Sequence, residues 1–208
     1  MTPGRFGDAR HRRIGLLGGS FNPAHAGHLH VARRALAALR LDAAWLLVSP
    51  GNPLKPAAGM APLAERLAST RRIADGRRIV ATDIERALGT RYTVDTLRAL
   101  RRRFRRVRFV LIIGADNLVQ LPRWRRWRDI TRQTPLAVLP RPGWTRRALA
   151  GQAAAVLRRH RRAPGGLLAE EFAHHAPWCL VPAREHAASG TAIRRASAES
   201  GTGERRGP

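Results

Sequence analysis

Short apolar runs alternate with amphipathic segments along most of the 208-residue chain. Each run is bounded by glycine, proline or charged residues, and its length suits one strand buried on both faces. The runs cover residues 14–17, 43–48, 78–84, 107–113, 135–139 and 178–181. Between them, apolar residues recur at helical spacing. This alternation predicts an α/β fold with a doubly wound, mostly parallel sheet and helices on both faces.

The helical segments carry further expectations. A helix that follows Pro62 is predicted to have Arg66 and Arg71 on its polar face. Thr93 directly precedes an apolar periodic segment and is the expected N-cap of its helix. One continuous helix is expected over about residues 145–159.

The length and the cysteine content indicate how many domains the protein has and which compartment suits it. We expect one domain over residues 13–196, between a disordered basic leader (1–12) and a disordered tail (197–208). The single cysteine, Cys179, excludes an internal disulfide and suits a reducing cytosol. No secretory signal and no apolar run of membrane-spanning length is found, so a cytoplasmic protein without a membrane partner is expected.

The formal charge of +25 raises the question of nucleic-acid binding. Lys55 is the sole lysine, so the excess is almost wholly arginine, which a GC-rich coding sequence would produce without selection for binding. The arginines are scattered, and no zinc-finger or RNP-like pattern accompanies them. Weak non-specific affinity is expected, with no specific nucleic-acid partner.

Residues 14–28, IGLLGGSFNPAHAGH, contain the strongest candidate site. A strand, a glycine loop and a helix follow one another, which is a layout that receives phosphate on backbone N–H groups and a helix N-terminus. His25 and His28, three residues apart, can flank one phosphate there. A tight connection without a ligand, or a metal pair, remains the alternative from these residues alone.

Further polar strings follow the other predicted strands. In such Rossmann-like sheets ligands bind outside the carboxyl ends of the strands, so these strings are expected to converge with the glycine loop. They are residues 52–55, 90–93 and 114–117, the last expected as a loop, together with Arg141. Lys55 is either a solvated side chain or a cation for ATP phosphates.

The string GGSFNPAHAGH resembles the G-G-x-F-[DN]-P-x-H-x-G-H signature of the nucleotidyltransferase superfamily. SGTAIRR, from Ser189, is similar to the S-x-T-x-I-R motif that closes the adenylyl-transfer site, although a plain capped helix would also account for it. GTRYTVDTL, LIIGADNLVQLPRW and VLPRPGW resemble the bacterial nicotinate-nucleotide adenylyltransferases. The resemblance covers nearly all of residues 14–195.

This resemblance implies AMP transfer from ATP to nicotinate mononucleotide in NAD biosynthesis, giving nicotinate adenine dinucleotide and pyrophosphate. It implies Mg²⁺, bound mainly through the ATP phosphates. The implied catalytic residues are His25, His28, Lys55 and Arg194. The implied ATP-binding residues are Gly18, Gly19, Ser20, Phe21, Asn22, His25, His28, Asp116, Ser189, Thr191 and Arg194. Those implied for the nicotinate nucleotide are Asn22, Lys55, Thr93, Asn117, Trp124, Arg125 and Arg141.

The resemblance also implies individual roles. Trp124 would stack on the pyridine ring, while Thr93 and the backbone N–H of Arg125 would hold the nicotinate carboxylate. Two alternatives stay open: adenylyl transfer to another phosphate acceptor such as phosphopantetheine, and a basic nucleic-acid-binding module with a degenerate nucleotide site. The sequence also leaves a homo-oligomer open.

Overall fold

The computed structural model describes residues 12–51, 59–169, 172 and 175–186. Six strands form one sheet in the order β3-β2-β1-β4-β5-β6, and every neighbouring pair is parallel. The strands are β1 (Arg12–Gly19), β2 (Ala43–Val48), β3 (Ile79–Thr82), β4 (Val107–Gly114), β5 (Leu136–Leu139) and β6 (Trp178–Leu180). The predicted α/β class and parallel sheet are therefore confirmed.

Eight α-helices lie in the described part of the chain. They are α1 (Ala26–Ala38), α2 (Leu63–Ile73), α3 (Ile84–Ala87), α4 (Thr93–Arg103), α5 (Ala115–Gln120), α6 (Trp127–Gln133), α7 (Thr145–Leu149) and α8 (Gln152–Val156). Short 3-10 helices span Leu121–Arg123, Arg158–His160 and Pro164–Gly166. None of the described helices has both the length and the hydropathy needed to cross a membrane.

Side chains of the central strand β1 alternate between two apolar cores, one on each face of the sheet. Leu16 packs with Trp45 and with the buried face of α4, whereas Leu17 packs with Leu36 of α1 and Leu67 of α2. Strands that are covered on both faces in this way have near-continuous apolar sequences. Because all neighbouring strands are parallel, their carboxyl ends lie at one edge of the sheet, which the two apolar cores leave accessible.

Several predicted boundaries were wrong for local reasons. Thr93 is the first residue of α4 and not its cap; Tyr92 occupies the cap position and its side chain makes no capping hydrogen bond. The helix expected over 145–159 is divided, because the chain leaves helical geometry at Gly151, in extended conformation, before α8 begins. The segment 114–117 contains no loop, because β4 ends at Gly114 and α5 starts at Ala115. The helix expected after Ser189 lies outside the described residues.

Candidate active site

A cavity of about 500 Å³ opens at the carboxyl ends of β1, β2 and β4. This is the edge at which doubly wound sheets bind ligands, beside the point where the strand order reverses. Ten of the residues predicted for the site line it: Gly18, Gly19, Ser20, His28, Thr93, Asp116, Asn117, Trp124, Arg125 and Arg141. The strings that follow different strands thus meet in one space, as the topology predicted.

The glycine loop folds back on itself at Phe21, which adopts a left-handed conformation with φ 47°. The Phe21 side chain is buried in the core and its ring lies 4.6 Å from that of His28, so this residue supports the loop from behind the cavity wall. Asn22, which is followed by a cis peptide bond to Pro23, is not among the described residues that line the cavity. Its amide donates to Gly59 O at 2.8 Å, and its Oδ1 accepts from Ala61 N at 3.2 Å. Asn22 thereby fixes the chain before α2 to the glycine loop.

His25 and His28 cap the N-terminus of α1 reciprocally. His25 Nδ1 accepts from the backbone N–H of Gly27, and His28 Nδ1 accepts from the backbone N–H of His25, both at 3.2 Å. A neutral imidazole with Nδ1 as acceptor carries its proton on Nε2. The hydrogen bonds therefore assign the Nε2–H tautomer to both rings, which leaves one N–H donor on each ring.

The two imidazoles differ in their surroundings. His25 is 7% exposed, whereas His28 is only partly buried and lines the cavity. Burial lowers the pKa of His25, and the positive charges of Arg141 and His186 lower it further. His25 is therefore the more buried imidazole of the pair, and its ring lies 3.8 Å from the ring of His28.

Arg66 is buried and not on the polar face of α2, contrary to the prediction. Its side chain donates to Ala61 O, Ser20 O and Ser49 O, each at 2.8 Å. Arg66 is 3% exposed, and burial lowers the pKa of its guanidinium. A cation surrounded by carbonyl oxygens joins the glycine loop to the end of β2, so it fixes two walls of the cavity relative to each other.

Aromatic side chains form the wall on the α4 side. Of the tryptophans in the described residues, Trp124 alone lines the cavity, and Tyr92 and Thr93 lie on the same wall. The guanidinium carbon of Arg125 lies 4.6 Å from the centre of the Tyr92 ring, a cation–π distance. Trp124 N–H donates to Leu121 O at 2.9 Å, which holds the backbone of the turn in place. The wall offers an apolar face with cationic and hydroxyl groups at its rim.

The opposite wall is formed by the starts of α5 and of the segment after β5. Arg141 Nε lies 3.9 Å from Asp116 Oδ1, and Thr145 Oγ1 accepts the backbone N–H of Arg141 at 3.0 Å. A Cβ atom at Gly114 would collide with the Asp116 carboxylate, so glycine leaves the room that this carboxylate occupies. Asp116 and Arg141 thus form an oriented, partly exposed pair.

Sequence reasoning missed several residues of the cavity wall. Glu85, Ser49 and Thr96 line the cavity as well. Ser49 directly follows β2 and Glu85 lies three residues after the end of β3, so the rule that selected the other strings would also have selected these two. Lys55, Ser189, Thr191 and Arg194 lie outside the described residues.

The side chains that line the cavity determine what kind of metal ion it could hold. Within the described residues no group of three or more His, Cys, Asp or Glu side chains could hold a metal ion. Two carboxylates, Asp116 and Glu85, line the cavity, and Asp116 already lies near Arg141. Such a set fits an ion that arrives with phosphate and water ligands, because Mg²⁺ usually keeps these and takes one or two protein carboxylates.

A family profile described as cytidylyltransferase-like matches residues 16–196. A protein of Gluconobacter oxydans named "Probable nicotinate-nucleotide adenylyltransferase" is 60% identical over 185 residues, covering 88% of this chain and 93% of that protein. One of Gluconacetobacter diazotrophicus, with the same name, is 56% identical over 191 residues, covering 91% and 88%. The chain belongs to the nicotinate-nucleotide adenylyltransferase family.

The fold of this family extends to distant members. The chain is similar to the Plasmodium falciparum nicotinic acid mononucleotide adenylyltransferase complexed with NaAD, with a TM-score of 0.68. The similarity covers 89% of this chain and 83% of that one at 14% sequence identity, so it concerns the fold.

Proposed function

We propose that this protein transfers AMP from MgATP to nicotinate mononucleotide, giving nicotinate adenine dinucleotide and pyrophosphate. One observation carries the proposal: a phosphate-receiving end, formed by Gly18, Ser20 and His28, shares one cavity with an aromatic wall at Trp124. The acceptor has an anionic phosphate at one end and a flat ring at the other. A cavity with a phosphate-receiving end and an aromatic wall suits nicotinate mononucleotide better than it suits an acceptor without a ring.

The chemistry is an in-line displacement. An oxygen of the acceptor phosphate bonds to the α-phosphorus of ATP while the bond from that phosphorus to the β-bridging oxygen breaks, and pyrophosphate leaves with the electron pair. The reaction needs positioning and charge neutralisation rather than a covalent nucleophile. The glycine-loop amides and the Nε2–H of His28 would donate to the phosphate oxygens as charge develops. Mg²⁺ carried by ATP would neutralise part of the charge on the leaving phosphates.

The remaining residues are assigned by position. Arg141 and Asp116 lie on the wall opposite Trp124, where the nucleotide ribose and adenosine would lie, with Asn117 beside them. Thr93 and the backbone of Arg125 would hold the nicotinate carboxylate. His25 would act through His28, because it caps the helix from a buried position. Lys55, Ser189, Thr191 and Arg194 keep the roles that the family resemblance implies for the ATP phosphates.

The test is pyrophosphate release from ATP and Mg²⁺ with three acceptors in parallel: nicotinate mononucleotide, nicotinamide mononucleotide and phosphopantetheine. Fast release with the nicotinate compound is expected. Release with phosphopantetheine alone would keep the phosphate end but overturn the assignment of the aromatic wall. No release with any acceptor, together with salt-sensitive DNA binding, would favour a nucleic-acid-binding module.

A further inference from the structure

Glu85 is an acidic side chain in the wall of a cavity that we assign to anionic substrates. It lies in the first turn of α3, directly after β3, and lines the cavity together with Ser49 and Thr96. The 39 basic residues outnumber the 14 acidic ones, yet none of the ion pairs between described residues involves Glu85. An acid that forms no ion pair with another described residue, in so basic a chain, is a candidate for contact with a ligand.

Hydroxyl groups orient this carboxylate. Thr96 Oγ1 donates to Glu85 Oε1 at 3.1 Å, and the hydroxyls of Thr96 and Thr90 are 2.9 Å apart. The backbone N–H of Thr90 donates to Glu85 O at 3.0 Å, which closes the turn between α3 and α4. Burial raises the pKa of Glu85, and hydrogen bonds from the Thr96 and Ser49 side chains partly offset that rise. The side chain is thus held in place while it faces the cavity.

The chemistry of the acceptor limits what this carboxylate can contact. The acceptor phosphate and the nicotinate carboxylate are both anionic, and a carboxylate beside either would repel it. The ribose between them has two neighbouring hydroxyl groups, which are hydrogen-bond donors. A carboxylate accepts about four hydrogen bonds, so two donors from the protein leave capacity for two more.

We propose that Glu85 recognises the 2′- and 3′-hydroxyl groups of the acceptor ribose. The proposal rests on the proposed function and adds a specificity residue to it. Hydrogen bonds to a charged group contribute enough for a loss of about tenfold to a hundredfold in acceptor kcat/KM when they are removed. The loss should appear mainly in the KM of the acceptor, with the KM of ATP unchanged, because Glu85 is not among the residues proposed to bind ATP.

The experiment pairs two acceptors with three variants. Nicotinate mononucleotide and its 2′,3′-dideoxy analogue are assayed by pyrophosphate release with the wild type, Glu85→Ala, Glu85→Gln and Thr96→Val. The wild type should lose at least about tenfold in kcat/KM on the dideoxy acceptor. Glu85→Ala should lose a similar factor on the normal acceptor and almost nothing more on the dideoxy acceptor. Glu85→Gln, which keeps the shape of the side chain without its charge, should fall between wild type and Glu85→Ala.

Thr96→Val separates recognition from support of the wall. It removes the hydroxyl that orients Glu85 but leaves the carboxylate, so it should retain most of the discrimination against the dideoxy acceptor. Equal losses on both acceptors in Glu85→Ala would overturn the proposal and give Glu85 a purely structural role. Absence of wild-type pyrophosphate release with nicotinate mononucleotide would instead overturn the proposed function. Thermal unfolding of each variant checks that it is folded.

Discussion

His28 accepts the backbone N–H of His25 through Nδ1, and this one hydrogen bond makes a candidate catalytic side chain part of a helix cap. His25 Nδ1 accepts the backbone N–H of Gly27, so both capping acceptors in the first turn of α1 are imidazole nitrogens. Capping acceptors are usually Ser, Thr, Asp or Asn at the first position and Glu or Gln three residues later. The use of imidazoles here places two rings side by side, and because Nδ1 of each accepts a capping hydrogen bond, Nε2 of each carries the proton.

His28→Ala is expected to lower kcat strongly while the protein stays folded. Removal of one preorganised donor at a developing charge typically costs about 10²–10³ in rate. His30→Ala is the matched control, because His30 lies on the same helix, contacts Arg184 O through its Nε2 and does not line the cavity among the described residues. Pyrophosphate release with both variants is the measurement. Near-normal turnover in His28→Ala would contradict the assigned role.

His25→Asn is expected to change how stability depends on pH. The folded-state pKa of His25 is lowered, so the unfolded chain, in which histidine titrates near about 6.5, binds this proton more readily. Stability is therefore lost as pH falls from about 6.5 through the lower, folded-state pKa. Asn is also a good N-cap residue, which keeps the cap in the variant.

Urea unfolding of the wild type and of His25→Asn at about pH 7.5 and about pH 5.5 measures this effect. The wild type should lose more stability than the variant on acidification. Other histidines with lowered pKa values, such as His160, are present in both proteins and cancel in the comparison. A difference in stability that stays constant with pH would show that His25 does not titrate as described.

Arg66→Met is expected to destabilise the protein by about 3 kcal/mol or more. It leaves the carbonyls of Ser20, Ser49 and Ala61 without the guanidinium donor, and each buried acceptor left unpaired costs about 1–3 kcal/mol. The control, Arg71→Met, replaces an exposed arginine on the same helix and should change stability by less than about 0.5 kcal/mol. Denaturant unfolding compares them. Similar small losses in both variants would mean that Arg66 contributes little to joining the two loops.

Trp124→Ala is expected to raise the KM of nicotinate mononucleotide while the KM of ATP stays near its original value. Stacking of a base on an aromatic side chain contributes about 1–3 kcal/mol, which corresponds to roughly fivefold to a hundredfold. Trp144→Ala is the control, since Trp144 packs under Arg147 and is not part of the cavity wall in the described residues. Steady-state kinetics for both substrates give the result. An increase confined to the KM of ATP would contradict the proposal that Trp124 contacts the pyridine ring of the acceptor.

The six strands could be predicted from the sequence, because each apolar run is long enough to form a buried strand and the runs are separated by turn residues. The convergence of the polar strings could also be predicted, since topology alone places them at one edge. The prediction for Arg66 was wrong, because the charge of arginine was taken to mean exposure although its position in the helix indicated burial. Leu63, Arg66 and Leu67 share one helix face, so spacing placed Arg66 toward the core.

Other features depend on contacts that no local pattern contains. The carbonyl acceptors of Arg66 come from two distant loops, at Ser20 and Ser49, and only the folded chain brings them together. Phe21 was assigned to the ATP site from the family signature, but its ring supports His28 from the core side. Glu85 carried a usable signal, its place after a strand, yet a single acid in a basic chain has no motif of its own.

β1, the first strand in the described part of the chain, lies inside the sheet, between β2 and β4. A nascent chain that ends after β3 can pair β1 with β2 only, so the strand that carries the glycine loop still lacks its β4 neighbour, and Asp116, Trp124 and Arg141 are still to be translated. Pairing such as Ile14 with Phe109 closes a long loop, which slows folding. Nucleotides can consequently stabilise only a nearly finished polypeptide, and they offer no protection to the emerging N-terminal half against aggregation or proteolysis.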